Sequence, residues 1–200
     1  MRLFGSVLLL IVALTLSACR EAAPPQHLFG TPKDWSVGPS NARVVLLEYG
    51  DYQCPPCVTL HRAVTDVLAK HGQEVRFVFR HYPTKRHRNA ERAAEAAEAA
   101  GVQGKFWQMH AKLYDNQGEW YGMADPMPAF ARYAREVGLD DARFTSDVES
   151  KRFRSKIMAS KQEAKGLGVR GAPALFLNGV RVMKLPLQTR ELEALVVDAL

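Results

Sequence analysis

The sequence predicts an α/β fold into which a block of helices is inserted. Three observations predict it: a strand–helix–strand pattern over residues 43–79, a succession of helical patterns over about 89–168, and a strand hairpin with a closing helix over 174–200. No segment of linker composition flanks the helical block, so we expect the block to belong to the same domain. With 200 residues, of which 47% are hydrophobic, the chain can bury a single core of ordinary size.

The strand–helix–strand pattern starts with an apolar stretch over 43–49 that is rich in β-branched side chains, as is typical of a strand buried on both faces. Pro55 and Pro56 follow, and both fit the first turn of a helix, where no N–H partner is lost. Apolar residues then recur at helical spacing over 58–72, and residues 75–79 predict a second strand.

Five helices are expected in the inserted block. The first is rich in alanine and ends at Gly101, since glycine is a common residue at helix ends. The expected ranges are 89–100, about 106–114, 129–137, a short helix capped by Asp140 or Asp141, and about 151–165.

The last part of the chain predicts a hairpin and a helix. Residues 174–177 have strand character, and Asn178-Gly179 is the strongest two-residue hairpin signal. Residues 180–182 make the partner strand, and a helix is expected from about residue 188 to the end of the chain.

The N-terminus predicts export. Arg2, a short apolar run over 8–16 and small residues before Cys19 have the order of a secretory signal peptide. The sequence Leu-Ser-Ala-Cys resembles the bacterial lipobox, in which the cysteine receives lipid and becomes the first mature residue. Cleavage of an ordinary signal peptide and an uncleaved anchor are the alternatives, and all three place the folded part outside the cytoplasm, in the bacterial cell envelope. The predicted regions are a lipoprotein signal peptide over 1–18, a lipid-anchored tether over 19–34 and the folded domain over 35–200.

The charge pattern gives no sign of a nucleic-acid partner. The formal net charge is +6, and cations such as Lys33, Arg88 and Lys161 lie far apart in the sequence. No RNA- or DNA-binding motif accompanies them, so we interpret the excess as a solvated basic surface and expect no nucleic-acid binding.

Two of the three cysteines are separated by only two residues. If Cys19 takes lipid, Cys54 and Cys57 can pair only with each other, and a bridge over so short a loop adds little stability. Chemistry explains the pair better, because unpaired N–H groups at a helix start stabilise a thiolate. Cys54 is predicted to be the more exposed and more acidic thiol that attacks or is attacked, and Cys57 to resolve the mixed disulfide. Half of a zinc site has the same spacing and is the alternative, although no second cysteine pair completes it; we expect no metal and no other cofactor.

Glu48 and Pro173 are the other candidate site residues. Glu48 lies inside the apolar strand, six residues before Cys54, where burial raises the pKa of a carboxyl group and suits it to accept the proton of Cys57. The alternative is an exposed glutamate at a sheet edge. Pro173 directly precedes a strand, a position that proline takes at a strand start or in a cis bond, and the alternative is an ordinary loop proline.

Four segments together resemble the DsbA-like thiol–disulfide oxidoreductases. In the order of that family they are 48–57 (EYGDYQCPPC), 79–83 (FRHYP), 97–107 (AEAAGVQGKFW) and 168–173 (GVRGAP). The similarity extends over about residues 35–200. It implies a thioredoxin-like fold with an inserted helical subdomain and Cys54 as the nucleophile. It also implies that Pro173 is a cis proline opposite the cysteines, and that the backbone of Ala172 and Pro173 holds the substrate chain by strand-like pairing.

The resemblance implies disulfide exchange with cysteine-containing exported polypeptides and a membrane redox partner that regenerates the enzyme. Donation of a disulfide is the predicted direction. Pro56 departs from the family, because many strongly oxidising members have at this position a histidine that stabilises the thiolate. A reductase or isomerase is therefore an alternative, and a metal-binding lipoprotein that uses Cys54 and Cys57 is another. We expect a monomer, because no second domain for dimerisation is evident.

Overall fold

The computed structural model describes residues 23–186 and 188–200, so the predicted signal peptide and Cys19 lie outside the described residues. After a short 3-10 helix, Gln26–Phe29, the elements are β1 (Trp35–Val37), β2 (Val44–Gly50), α1 (Pro55–His71), β3 (Val75–His81), α2 (Ala90–Gly101), α3 (Phe106–Asp115), α4 (Gln117–Trp120), α5 (Met127–Glu136), α6 (Asp141–Glu149), α7 (Arg154–Gly166), β4 (Ala174–Leu177), β5 (Val180–Arg181) and α8 (Thr189–Asp198). Among the described helices, none combines the length and the apolar character needed to cross a membrane.

The strands form one sheet in the order β1-β3-β2-β4-β5. β2 runs parallel to β3 and antiparallel to β4, so it has a strand on each side. Every residue of β2 is buried, which explains why its sequence is apolar on both faces, with Glu48 as the exception, instead of alternating. The carboxyl end of this central strand leads directly to Cys54.

Helices cover both faces of the sheet. Leu46 belongs to the larger core, which contains residues of α1, α3 and α8, whereas Val45 and Leu47 pack with the smaller core beneath α7 and the 3-10 helix. Because side chains alternate along a strand, Glu48 lies on the same face as Leu46, towards α1. A carboxyl group is thereby placed in the core next to the helix that carries the cysteines.

The fold class is confirmed: a mixed sheet carries helices on both faces, and α2–α7 are inserted between β3 and β4. Asp140 caps α6 by accepting a hydrogen bond from the N–H of Arg143 at 2.9 Å, as one of the two predicted caps. The predicted start of the last inserted helix at 151 is wrong by three residues, because Lys151 has a positive φ of 54° that interrupts the helix.

A buried ion network joins the first segment of the described chain to the rest of the fold. The Arg80 side chain on β3 is 4% exposed and contacts Asp34 and Glu163, each at 2.7 Å. It also donates to the Tyr49 hydroxyl at 3.0 Å and to the His27 carbonyl at 2.8 Å. The 3-10 helix segment, the sheet and α7 are therefore held by one guanidinium group.

Candidate active site

The cysteine pair lies at the first turn of α1. Cys54 is the residue before the helix, with an extended backbone, and Pro55 and Pro56 occupy the first helical positions, where their missing N–H groups cost no hydrogen bond. Both thiols are free, with 3% of Cys54 and none of Cys57 exposed, whereas the two prolines are exposed. Cys54 is thus the more accessible sulfur, although by a small margin.

The two thiols differ in acidity. A hydrogen bond from the Cys57 side chain lowers the pKa of Cys54, against the opposing effect of burial, and the N–H of Cys57 adds to the lowering. Burial raises the pKa of Cys57 well above its usual range, and the charge of Glu48 raises it further. When the reduced pair loses one proton, the negative charge therefore falls on Cys54 and the remaining proton stays on Cys57.

The loop before β4 faces Cys54. Ala174 of β4 pairs with Tyr49 near the end of β2, so the residues just before β4 lie beside the start of α1. The Sγ atom of Cys54 is 3.3 Å from the carbonyl oxygen of Ala172, and the Ala172–Pro173 peptide bond is cis, the geometry that the resemblance implied. Pro173 itself is buried.

Glu48 is buried in the centre of the sheet, with 1% of the residue exposed, so the alternative of an exposed edge position is wrong. Burial, together with the charge of Cys54, raises its pKa to about 8. Its Oε1 atom and the hydroxyl of Tyr114 are both buried without a hydrogen-bond partner among the described residues. A methyl group placed on Gly50 would lie 2.7 Å from that Oε1 atom and 2.8 Å from that hydroxyl. The two polar groups therefore border the same point, which glycine leaves free.

Asp51 is a site residue that the sequence analysis did not single out. One carboxylate oxygen accepts a hydrogen bond from the N–H of Gln53 at 2.8 Å. The other accepts one from the N–H of Thr84 at 2.8 Å and also lies 2.7 Å from His87 Nδ1. Its carbonyl accepts from the N–H of Cys54 at 3.0 Å. Aspartate side chains commonly accept a hydrogen bond from the backbone N–H two residues further on, so the position of Asp51 before the cysteine turn was a signal that the sequence contained.

Aromatic side chains fill the space behind the pair. The Tyr52 hydroxyl and His110 Nδ1 are hydrogen-bonded at 2.9 Å, and burial lowers the pKa of His110 well below its usual range. His61, one turn beyond Cys57, packs against the Tyr114 ring with centroids 4.9 Å apart. This cluster shields Cys57 and Glu48 from solvent.

A cleft of about 530 Å³ opens on the outer side of Cys54 and Ala172. Cations that are far apart in the sequence meet along it, and no carboxylate does so. The basic side chains that line it are Lys85, Arg86, Lys161, Lys165 and Arg170, together with His87.

The described part of the chain contains no set of side chains that would complete a metal site with the cysteine pair. Among residues 23–186 and 188–200, no three His, Cys, Asp or Glu side chains converge in the way that a metal ion needs. The chemistry available to this site is that of the two sulfurs, the carboxyl group behind them and the backbone in front of them.

The site combines a more acidic thiol and a buried thiol at the start of the first helix with a cis proline opposite them. Together with the sheet order, this arrangement defines the class of thioredoxin-fold thiol–disulfide oxidoreductases with a helical insertion. Comparison with known proteins agrees with this class. The chain belongs to the thioredoxin family, whose model, described as thioredoxin, matches residues 30–198. The predicted DsbA-like resemblance is confirmed for the fold, and the predicted oxidoreductase class agrees with a relative that is 29% identical.

Individual relatives show how far the similarity extends. The chain is 29% identical to a thioredoxin-like oxidoreductase from Silicibacter pomeroyi, with a TM-score of 0.72 over 88% of this chain and 98% of the other. The α-DsbA1 of Wolbachia pipientis shares the fold at 19% identity, with a TM-score of 0.74 over 86% of this chain and 93% of the other. Among curated proteins, the chain is 37% identical over 154 residues to the Na⁺/H⁺ antiporter NhaA 1 of Mycolicibacterium vanbaalenii, covering 74% of this chain and 24% of the antiporter. The chain thus spans about a quarter of the length of the curated relatives it matches, and the similarity concerns one part of them.

Proposed function

We propose that this protein is an exported oxidant of protein thiols, which donates the Cys54–Cys57 disulfide to cysteines of extracytoplasmic polypeptides. The observation that carries the proposal is the asymmetry of the pair: an acidic Cys54 next to the Ala172 carbonyl, and a buried Cys57 that holds its proton. A stabilised Cys54 thiolate favours the reduced enzyme over the oxidised one, and a stabilised reduced form is what makes such a protein an oxidant.

The reaction proceeds in two exchanges. A substrate thiolate attacks the Cys54 sulfur, the Cys54–Cys57 bond breaks, and Cys57 leaves as a thiolate that takes up a proton. A second substrate thiolate then attacks the substrate sulfur of the mixed disulfide and releases Cys54 as a thiolate. Two electrons pass from the two substrate sulfurs to the two enzyme sulfurs. A membrane redox partner then withdraws these electrons and restores the disulfide.

Glu48 serves as the proton donor and acceptor of Cys57. With a pKa raised to about 8, the carboxyl group is protonated at neutral pH and available when Cys57 leaves. In the reverse direction, it accepts the Cys57 proton when Cys57 attacks a mixed disulfide. The charge of Glu48 acts on the pKa of Cys57, which supports this pairing.

The backbone of Ala172 and Pro173 serves as the docking edge for the substrate. A chain bound there by strand-like pairing would bring its cysteine to the Sγ atom of Cys54, which already contacts the Ala172 carbonyl at 3.3 Å.

Export and lipid attachment at Cys19 complete the proposal and rest on the order of charged, apolar and small residues in the signal peptide. Radiolabelled palmitate should therefore be incorporated into the wild-type chain but not into Cys19→Ser; equal labelling of the two would overturn the anchor.

The alternative function is a disulfide reductase or isomerase of the same compartment, which Pro56 favours because proline supplies neither a charge nor a donor to the thiolate. Equilibration of the pair with glutathione distinguishes the two directions. Known proteins of this fold range from about −270 mV for thioredoxin to about −120 mV for DsbA. We expect a potential nearer the second value and loss of the equilibrium in Cys54→Ser; a value at the thioredoxin end would overturn the oxidant role. Stoichiometric zinc binding without redox equilibration would instead favour the metal-binding lipoprotein.

A further inference from the structure

The cations of the cleft beside Cys54 carry charge that the fold leaves uncompensated. Lys85, Arg86, Lys165 and Arg170 are exposed, and none of them forms an ion pair with a carboxylate among the described residues. Lys161, which is half-buried, donates to the Pro83 carbonyl and has no carboxylate partner in the described chain either. Asp51 is close by, but its buried carboxylate is already occupied by two backbone N–H groups and His87.

Many basic side chains elsewhere on the surface are paired with carboxylates, although unpaired ones such as Lys33 and Arg43 also occur. Arg132 contacts Glu119 at 2.6 Å, and Lys112 contacts Glu136 at 2.6 Å. The remaining pairs of this kind include Lys70–Glu193, Arg92–Asp125, Arg135–Asp141, Arg152–Asp147 and Lys156–Glu98. The cleft differs in that five cations without an ion-pair partner among the described residues line a single cavity that no carboxylate lines.

The positive charges are close enough to act on one another. The pKa of Lys161 is lowered first by its burial and then by the charge of Lys165 and, more weakly, that of Lys85, whereas the charges of Glu91 and Asp51 act in the opposite direction. Like charges held together without a partner raise the local positive potential, and that potential attracts anionic groups from solution.

The position of the cleft connects this potential to disulfide exchange. Cys54, Ala172 and Arg170 line the same cleft, and Arg170 lies two residues before Ala172 in the loop that faces the sulfur. Because the aromatic cluster fills the inner side, a polypeptide whose cysteine reaches Cys54 approaches from the outer side, where these cations lie.

We propose that this basic cleft is a specificity subsite that selects polypeptide substrates with acidic residues next to their cysteine. The inference rests on the proposed function and adds the chemical class of the preferred substrate. Charge complementarity acts chiefly on the rate of encounter, so the preference should appear in the second-order rate constant and weaken with salt.

The test uses three synthetic peptides that differ only in the four residues around one cysteine, which are glutamate, glutamine or lysine. Each peptide is reacted with the oxidised protein under stopped-flow fluorescence at low ionic strength. We expect the glutamate peptide to react about tenfold faster than the glutamine peptide and the lysine peptide to be the slowest, with the differences mostly lost in about 0.5 M salt. Acidic neighbours lower the thiolate fraction of a peptide, so this order runs against intrinsic reactivity.

Two matched double variants assign the preference to the cleft. Lys165→Gln/Arg170→Gln should bring the ratio of the glutamate to the glutamine rate close to one, whereas Lys33→Gln/Arg43→Gln, which removes the same charge at exposed positions outside the cleft, should preserve it. Equal rates for the two peptides, or a preference that survives the cleft variant, would overturn the inference while leaving exchange itself established.

A binding measurement separates the subsite from the redox activity. A fluorescent glutamate peptide with serine in place of cysteine should bind the wild-type protein and lose about tenfold in affinity in Lys165→Gln/Arg170→Gln. If this binding holds but no peptide is oxidised, the proposed function fails and the subsite stands. The inference is wrong if the peptide does not bind while vesicles of phosphatidylglycerol and phosphatidylcholine bind the wild-type protein and not the cleft variant. The cleft would then face lipid headgroups.

Discussion

Two sulfurs three positions apart in the sequence have different surroundings in the fold. The side chain and the N–H of Cys57 lower the pKa of Cys54, whereas burial and the charge of Glu48 raise the pKa of Cys57. The thiolate is thus stabilised by the partner it will later bond. This local arrangement leads to the first expectation.

Alkylation of the reduced protein with iodoacetamide should show a pH midpoint for Cys54 below about 8.5, the value of an ordinary cysteine. Cys57→Ala removes the donor and should raise the midpoint, whereas Cys57→Ser keeps a hydroxyl donor and should stay closer to wild type. Rates are read from the mass of the modified Cys54 peptide. Equal midpoints in the two variants would contradict the hydrogen bond as the cause.

Glu48 makes the stability of the fold depend on pH. Its pKa is raised by burial from 4.5 to about 8, so the native state holds a proton that the unfolded state has lost between these values. As the pH rises through that window, the free energy of unfolding should therefore fall by about 1.4 kcal/mol per pH unit from this group alone. Urea unfolding of Glu48→Gln should show a correspondingly flatter profile, together with slower resolution of mixed disulfides at pH 7.

The control for this measurement is Glu149→Gln, which removes an exposed carboxylate on α6. Its profile should follow that of the wild type. If Glu48→Gln also follows the wild type in both stability and resolution rate, Glu48 is neither strongly shifted nor part of the proton transfer.

At the scale of elements, β2, β3 and α3 meet at Gly50. A methyl group there would contact the Phe79 ring of β3 as well as Glu48 Oε1 and the Tyr114 hydroxyl of α3. Gly50→Ala should therefore lower the free energy of unfolding by about 1–3 kcal/mol, since a packed core accommodates added volume poorly.

Gly166→Ala, at the end of α7, is the matched control, because a methyl group there has nothing within 4 Å. It should be neutral or slightly stabilising, as alanine suits a helix better than glycine. Thermal unfolding of both variants checks the pair, and equal effects would show that the space at Gly50 is not confined.

The longer elements were predictable from the sequence, and the short ones were not. β2, α1 and the hairpin have long or specific patterns. β1 has only three residues, two half-buried and one exposed, and α4 is a single turn, so both are too short to show the periodicity of a strand or a helix. Local motifs likewise indicated Cys54 and Cys57. The cleft was out of reach, because residues 85–86 and 161–170 meet only through the packing of α7 on β3.

At the scale of the whole molecule, Arg80 connects the start of the described chain with the sheet and α7. Replacing it by leucine leaves Asp34 and Glu163 without their buried partner, and removal of one member of a buried ion pair costs about 3–5 kcal/mol. Arg80→Leu should thus unfold at a clearly lower urea concentration. Arg92→Gln, which breaks the exposed pair with Asp125, should remain near wild type. Equal midpoints for the two variants would contradict the role of Arg80 as a tie between segments.

The central claim is exchange of disulfides through Cys54, and capture of the reaction intermediate tests it most directly. In Cys57→Ala the mixed disulfide cannot be resolved, so after expression in a bacterial envelope and acid quenching, substrates should remain attached to Cys54 and be released by reductant. Cys54→Ala/Cys57→Ala is the control for adventitious thiols and should capture nothing. Polypeptides bound through Cys54 are the result expected from this site. Absence of such adducts from the Cys57→Ala protein, when it is folded and present at wild-type amounts, would contradict the account.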